Sequence, residues 1–342
     1  MNFMSDSLPM SKLNPPDLSR KVEFLSNPGN YPRPTAHVQT RETHMSWVFL
    51  TDTEAWKLKK PVHYKHLDFS TPEARRTDCQ EEVRLNRRLA PDVYLGVVPL
   101  TLEARGEMRL SGEGCPIDWL VQMRRLPSER MLDQTIADGT WTENDIHKVG
   151  RLLARFYLGL PPIPMTGAQY RERLRDDLMT TREELLRIRY HLPPGLVKAA
   201  ISRGLRCIEQ EAELLESRVL LGKIVEAHGD LRPEHICLEA EPVIMDCLEF
   251  SRDLRLLDPA SELAFLALEC ERLGASRVGE LILGDYSDLT GDHPPARLLK
   301  FYKCYHASVR AKIAVWHLED SQTKDPEKWV QRAVEYLRLH GE

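Results

Sequence analysis

The stretches before and after Pro127 follow different periodicities, and that change of period constrains the fold more than any other feature of the chain. From 35 to about 126 the apolar residues come in short β-type runs interrupted by one helical stretch. Beyond Pro127 they recur at helical spacing through 143–157, 170–190 and 194–221, with Pro-Pro pairs at 161–162 and 193–194 as breaks. One sheet cannot absorb the second half, and one helical bundle cannot absorb the first. The expected architecture is therefore α+β and bilobal. A small strand-rich lobe with one helix spans 21–126 and ends in a hinge, and a larger, mainly helical lobe spans 127–342. A chain of 342 residues accommodates two such units at roughly 150 residues each. Residues 1–20, rich in Pro, Ser and Asn, are expected to form a mobile lead-in.

Within the first lobe, SWVFL at 46–50 and AWKLK at 55–59 read as two strands of an antiparallel hairpin, joined by the polar turn Thr51-Asp52-Thr53-Glu54 and stopped at Pro61. Ser70-Thr71-Pro72-Glu73 has the form of a capping box with proline in the first turn, which predicts a helix from there to about Leu89. Further strands are expected at 94–100 and 118–123.

Composition narrows the partners. With 42% hydrophobic and 29% charged residues the chain has material for a sizeable core and no compositional case for disorder. Its 47 lysines and arginines against 52 aspartates and glutamates give a net charge of −5, which argues against nucleic-acid and anionic-membrane partners. No stretch approaches the ~18 continuous apolar residues of a membrane span, and the first residues lack the apolar core of a signal peptide. Seven cysteines without a C-x-x-C pair fit reduced thiols better than a disulfide frame or a zinc site. The expected location is the cytoplasm.

Chemistry concentrates in HGDLRPEHICL at 228–238 and the β-type run VIMDCLEF at 243–250. Asp230 and Asp246, sixteen residues apart, both sit in apolar sequence that would ordinarily bury them. A buried carboxylate is costly unless a metal, a cation or several donors compensate it. Two such acids invite a functional explanation, although one capping a turn and the other accepting backbone N–H bonds would also satisfy the pattern.

These two segments resemble the catalytic and metal-binding segments of the aminoglycoside phosphotransferase-like kinases, the branch of the protein-kinase-like fold that includes choline kinases. The similarity continues through ETHMSWVFLTDTEAWKLKKPV at 42–62, EEVRLNRRLAPDVYLGVVPL at 81–100 and VQMRRLP at 121–127, is closer to a bacterial subgroup of these enzymes, and covers about 38 to about 314. The resemblance implies an ATP- and Mg²⁺-dependent phosphotransferase acting on a hydroxyl of a small molecule. It casts Asp230 as the residue that orients the acceptor hydroxyl and takes its proton, His228 as the brace of that loop, and Asp246 as the Mg²⁺ ligand. Lys57 would grip the α and β phosphates; Lys59 shares its strand face and competes for the role. The lysine's helical partner would be Glu81 or Glu82. Glu82 shares its face with Leu85 and Leu89, whereas Glu81 aligns with Arg84 and Arg88, so Glu82 is the better choice. Adenine would lie against the hinge at 122–126, at Gln122 and Met123. Lys57, Asp230 and Asp246 are expected to converge on one triphosphate.

The chain departs from that pattern in places. His235 stands where the family has an asparagine that holds a second metal. Imidazole is a poor ligand for Mg²⁺, so His235 would instead touch a phosphate or be satisfied by backbone. The glycine-rich phosphate loop is absent, and the hydroxyls of Thr43 and Ser46 are the available substitutes. Glu249 can offer oxygen ligation only if the strand carrying Asp246 has already ended, since alternation would otherwise place the two on opposite faces. Asp258 and Glu262 read as structural. Trp316, with Tyr302, Tyr305 and Ile313, reads as core, and Arg310 and Lys312 as a solvated helix face. No G-x-x-x-x-G-K-[ST] occurs, so the kinase-like unit is expected to stand alone. A pseudokinase that binds nucleotide or acts as a scaffold, and transfer of AMP in place of phosphate, remain the alternatives.

Overall fold

The computed structural model describes residues 16–64, 67–319 and 325–339. They form two compact units: residues up to 130 together with 243–251, and residues 131–242 together with 252 onward.

The first unit is built on an antiparallel sheet of six strands: β1 (Gln39–Glu42), β2 (Ser46–Leu50), β3 (Glu54–Lys59), β6 (Tyr94–Leu102), β7 (Met108–Leu110) and β8 (Cys115–Arg124). The order across the sheet is β1-β2-β3-β8-β6-β7. The short β4 (His63–Tyr64) and β5 (Leu67–Asp68) pair with each other. The expected hairpin forms, with Leu50 opposite Ala55 and Ser46 opposite Lys59. On its other edge β3 pairs with β8, Lys57 opposite Val121. Two-residue alternation then gives β3 two different buried faces. Trp56 and Leu58 enter an apolar cluster with Phe49, Leu100 and Leu120, while Lys57 and Lys59 point the other way.

That apolar cluster is closed by α1 (Leu18–Leu25), whose Leu25 is fully buried in it. The expected lead-in of residues 1–20 therefore ends in a helix. Asp17 caps it by accepting the Arg20 N–H, and the rest of the lead-in up to residue 15 lies outside the described residues. The sequence reading allowed one helix in this lobe, and α1 is a second. Its Lys21 shares Asp118 of β8 with Arg75 of α2 (Pro72–Asn86), at 2.8 Å and 2.7 Å. The start of α2 differs from expectation by one residue: Thr71, not Ser70, is the cap, accepting the Ala74 N–H at 3.1 Å. Pro72 then occupies the first helical position, where its missing N–H costs nothing. The helix ends at Asn86, one turn short of Leu89.

The second unit is helical: α3 (Leu132–Ala137), α4 (Glu143–Leu158), α5 (Gly167–Leu185), α6 (Pro194–Gln210), α7 (Ala212–Leu220), α8 (Pro259–Arg272), α9 (Ser276–Thr290), α10 (Ala296–Trp316) and α11 (Pro326–Arg338). A reciprocal capping box between Thr166 and Gln169 starts α5 earlier than the periodicity indicates. The stretch expected as one helix over 194–221 breaks at Glu211 into α6 and α7. Helix α8 is buried continuously from Pro259 to Cys270, its Glu262 and Glu269 included. Its cap, Asp258, accepts from Nε and Nη2 of the Arg218 guanidinium, both at 2.7 Å, and Arg218 also binds Asp292.

Two expectations for α10 fail. Trp316 is 45% exposed and lies under the Lys312 ammonium instead of in the core. Arg310 and Lys312 are not a solvated face: Lys312 is buried against Asp177 at 3.0 Å, and Arg310 lies over Phe265 and Tyr336. Long basic stems cover apolar surface while their heads find carboxylates, so charge alone does not mark an exposed face. All seven cysteines are free thiols, and among the described residues no helix is long and apolar enough to cross a membrane.

Candidate active site

In the first unit, β3 and α2 bring lysines and acids together at fixed spacing. Lys57 Nζ lies 2.9 Å from Glu82 Oε1 and 3.0 Å from Asp246 Oδ1. Lys59 Nζ lies 2.7 Å from Glu82 Oε2 and 2.5 Å from Asp78, and also bonds Glu249. Glu82 thus gives one oxygen to each lysine and is completely buried. Asp78, one helical turn before Glu82, shares its face by the same periodicity. Glu81 pairs with Arg84 away from the lysines.

The electrostatics follow from this alternation. Burial pulls the Lys57 ammonium down, but the charges of Asp246, Glu82 and Glu249 outweigh it and hold its pKa well above the usual lysine range. Lys59 behaves alike, with Glu249, Glu82 and Asp78 overcoming burial. Burial would raise Glu82, yet the two lysines keep it below the ordinary carboxylate value. Asp78 goes the other way: burial pushes it up to about 6 against the pull of Lys59.

The segment expected as a strand to Phe250 is a strand only at Val243–Ile244. The chain then turns through Asp246 in the left-handed region, at φ 61°, a conformation uncommon outside glycine. The turn is held by the Asp246 N–H donating to Tyr94 Oη at 3.1 Å and the Cys247 N–H donating to Asn86 Oδ1 at 2.8 Å. Because the strand has ended, strict alternation no longer applies, and Glu249 reaches the same lysine face as Asp246. Asp78, Glu82 and Glu249 bring oxygens within 4.8 Å of one another, with the Lys59 ammonium bonded to all three. Asp246 is the open member of the set: its side chain is 44% exposed, against 15% for Lys57 and 1% for Lys59. A solvent-facing carboxylate oxygen fits a hard cation such as Mg²⁺.

The other residues expected near nucleotide in this unit do not join the lysines. Thr43 Oγ1 donates to the Ser46 carbonyl and accepts the Ser46 N–H, both at 3.0 Å, so it closes the β1–β2 turn; Ser46 is buried. Gln122 faces with Trp56, opposite in register, and its amide donates to Glu54 Oε1 at 3.0 Å. Met123 is buried in β8.

In the second unit, Gly229 takes φ 90°, which a side chain would resist, and turns the loop between His228 and Asp230. Glu262 of α8 accepts the N–H groups of His228 at 3.1 Å and Gly229 at 2.5 Å and the Tyr157 hydroxyl at 2.7 Å. His228 is buried, and its Nδ1 accepts the Asp230 N–H at 3.3 Å. Arg232 contacts Asp230 Oδ2 through Nε at 3.1 Å and through Nη2 at 3.0 Å. It also bonds Glu234 at 2.5 Å and meets His235 Nε2 at 3.0 Å. His235 Nδ1 lies 2.8 Å from the Asp230 carbonyl oxygen, the backbone-satisfied placement.

Sequence reasoning passed over Asp78 and Arg232. Asp78 is signalled by its four-residue spacing from Glu82, and Arg232 by its place within the HGDLRPEH segment.

No protein-family model matches the chain. An uncharacterised protein of Mycobacterium tuberculosis, Rv2004c, is 33% identical over 281 residues, and one of Mycobacterium bovis, Mb2027c, matches equally. The alignment covers 81% of this chain and 54% of each relative, so the chain spans about half the length of the curated relatives it matches. Among solved structures, a choline/ethanolamine kinase family protein from Mesorhizobium loti aligns with a TM-score of 0.53 at 15% identity, covering 95% of this chain and 94% of that one. Aminoglycoside 2'-phosphotransferase-IIIa in complex with GDP aligns with a TM-score of 0.53 at 12% identity, covering 94% and 97%. A glucosamine kinase aligns with a TM-score of 0.51 at 15% identity, covering 89% and 74%. The chain has the protein-kinase-like fold of these structures, as the sequence resemblance implied.

Proposed function

We propose that the protein is an ATP- and Mg²⁺-dependent phosphotransferase that phosphorylates a hydroxyl group of a small molecule. The observation that carries this reading is Lys57 held between buried Glu82 and half-open Asp246. An ammonium fixed by one buried carboxylate, with its second neighbour facing solvent, is placed to exchange that neighbour for a phosphate oxygen. The similarity of fold to choline, glucosamine and aminoglycoside kinases adds to the reading.

In the reaction, the acceptor oxygen forms a bond to the γ-phosphorus as the bond from that phosphorus to the β-γ bridging oxygen breaks, and ADP leaves. The acceptor's proton passes to the Asp230 carboxylate. Phosphoryl transfer has a loose transition state with charge spread over the transferring oxygens, so positioning and electrostatic stabilisation supply most of the rate. Lys57 binds phosphate oxygens and Glu82 fixes its direction. Asp246 would hold Mg²⁺, which when bound neutralises phosphate charge. His228 and Glu262 set the backbone of the base loop. Arg232 orients Asp230 and adds a positive charge beside it.

The test is acceptor-dependent ADP release by the purified protein, screened over hydroxylated metabolites and aminoglycosides, together with Asp230→Ala. That variant should stay folded and lose at least ~10² in turnover, the contribution of a positioned base. Retention of wild-type turnover would show that Asp230 is not the base. His235, tied into the loop at the position of the family's asparagine, favours a second reading as a pseudokinase. Nucleotide binding indifferent to Mg²⁺, without turnover, would select it. Products heavier by AMP would select nucleotidyl transfer.

A further inference from the structure

The Lys59 side chain is only 1% exposed, yet the proposed reaction uses only its neighbour Lys57. Burying an ammonium among three carboxylates is rarely the most stable solution, because apolar residues of similar volume often do as well or better. Lys59 also has apolar company, with its ammonium 5.3 Å from the Phe69 ring centre. Its connections suggest why a charge is there. Asp246 bonds Lys57, Lys57 bonds Glu82, Glu82 bonds Lys59, and Lys59 bonds Glu249. Asp246 and Glu249 are three residues apart on one loop, and Lys57 and Lys59 two apart on one strand face, so these contacts form a closed ring through the backbone.

We propose that Lys59 and Glu249 are positioning residues, a second clamp that holds the 246–249 loop so that Asp246 presents its solvent-exposed carboxylate to Mg²⁺. The proposal rests on the phosphotransferase reading and adds to it a device outside the lysine–glutamate–aspartate set. Asp246 needs such support. A non-glycine residue in the left-handed region persists only where its surroundings over-determine it. Tyr94 and Asn86 accept the N–H groups at the start of the turn, and Lys59 binds Glu249 at its far end. Two ammonium groups face four carboxylates here, so the ring is short of positive charge and tolerates a divalent cation at its open corner. Direct metal ligation by Glu249 is the competing role, and Lys59 separates the two: a clamp needs it, a ligand would be freed by its loss.

The experiment titrates Mg²⁺ into the full chain at a fixed concentration of a non-hydrolysable ATP analogue, read by thermal midpoint and by calorimetry. Glu249→Ala, which leaves Lys59 with Asp78 and Glu82, should raise the Mg²⁺ concentration at half-saturation about tenfold, as loss of an outer-shell partner does, with metal-free analogue affinity unchanged. Glu249→Gln, which keeps an acceptor for Lys59, should recover most of that. Lys59→Met combined with Asp78→Asn, which removes one charge of each sign, should weaken Mg²⁺ as Glu249→Ala does. Tighter Mg²⁺ binding in that double variant would overturn the clamp in favour of direct ligation. A lower midpoint without a change in Mg²⁺ dependence in Glu249→Ala or in the double variant would reduce the network to a structural one and also overturn it. If the wild type binds no nucleotide, the phosphotransferase reading fails and the clamp with it. If the wild type binds normally and the variants match it, the clamp alone fails.

Discussion

Each unit buries a charged network, and the two are built differently. In the second unit Arg218 binds Asp258 side-on through Nε and Nη2 and Asp292 end-on through Nη1 and Nη2, with both partners buried. Tyr302 donates to Asp258 at 3.0 Å, Tyr286 donates to Asp292 at 2.5 Å, and the Ala260 N–H completes Asp258. A guanidinium is a rigid fork matched to carboxylates, so this arrangement is saturated and closed. The first unit uses lysines, which are point charges on flexible stems, against an excess of acids, and leaves Asp246 open. The difference separates a network that holds the fold from one able to exchange a partner.

The sharpest way to break this comparison is to cut both networks. Arg218→Met leaves two buried aspartates without their cation and should cost about 3–5 kcal/mol, seen as a large fall in thermal midpoint. Lys57→Met should leave the midpoint near that of the wild type, because Glu82 keeps Lys59 and Asp246 keeps water, while lowering turnover by about 10²–10³. An Arg218 variant with an unchanged midpoint, or a Lys57 variant with a large fall in midpoint, would invert the assignment.

A smaller effect lies in the pH dependence. Burial would raise Asp292, but Arg218 and Tyr286 bring it down to about 2. Its folded value lies below its unfolded one, so its contribution is present above about pH 4 and lost as pH falls toward 2. Asp78 is raised to about 6 by burial, and the folded state keeps its proton longer than the unfolded chain does. Its contribution is present below about pH 4 and lost as pH rises through 6. Thermal midpoints between pH 4 and 7 should therefore fall less steeply with rising pH in Asp78→Asn than in the wild type. An unchanged slope would mean that Asp78 ionises normally. The smallest effect is expected from His235→Asn, since an amide can donate to the Asp230 carbonyl and accept from Arg232. Turnover should be equal or higher, and a complete loss would give the histidine a role of its own.

Much of this was legible in the chain. The hairpin, the α2 start within one residue, and the strand-rich and helical halves follow from local periodicity and caps. The choice of Glu82 over Glu81 follows from helical spacing against Leu85 and Leu89. The sequence did not show that Arg310 and Lys312 turn inward, because a long basic stem reads the same on a wet or a buried face. Nor did it show the helix at Leu18–Leu25, whose partner surface of Trp56, Leu58 and Leu120 is assembled from distant strands.

Residue order alone determined which side chains share a face, since two-residue and 3.6-residue periods are properties of the local backbone. It set Lys57 beside Lys59 and Asp78 beside Glu82. Tertiary structure decided where the strand after Val243 stops, and with it whether Glu249 faces Asp246 or away. That depends on hydrogen bonds that the Asp246 and Cys247 N–H groups donate to Tyr94 and Asn86, 152 and 161 residues back along the chain, which hold Asp246 in a left-handed turn that local propensity disfavours.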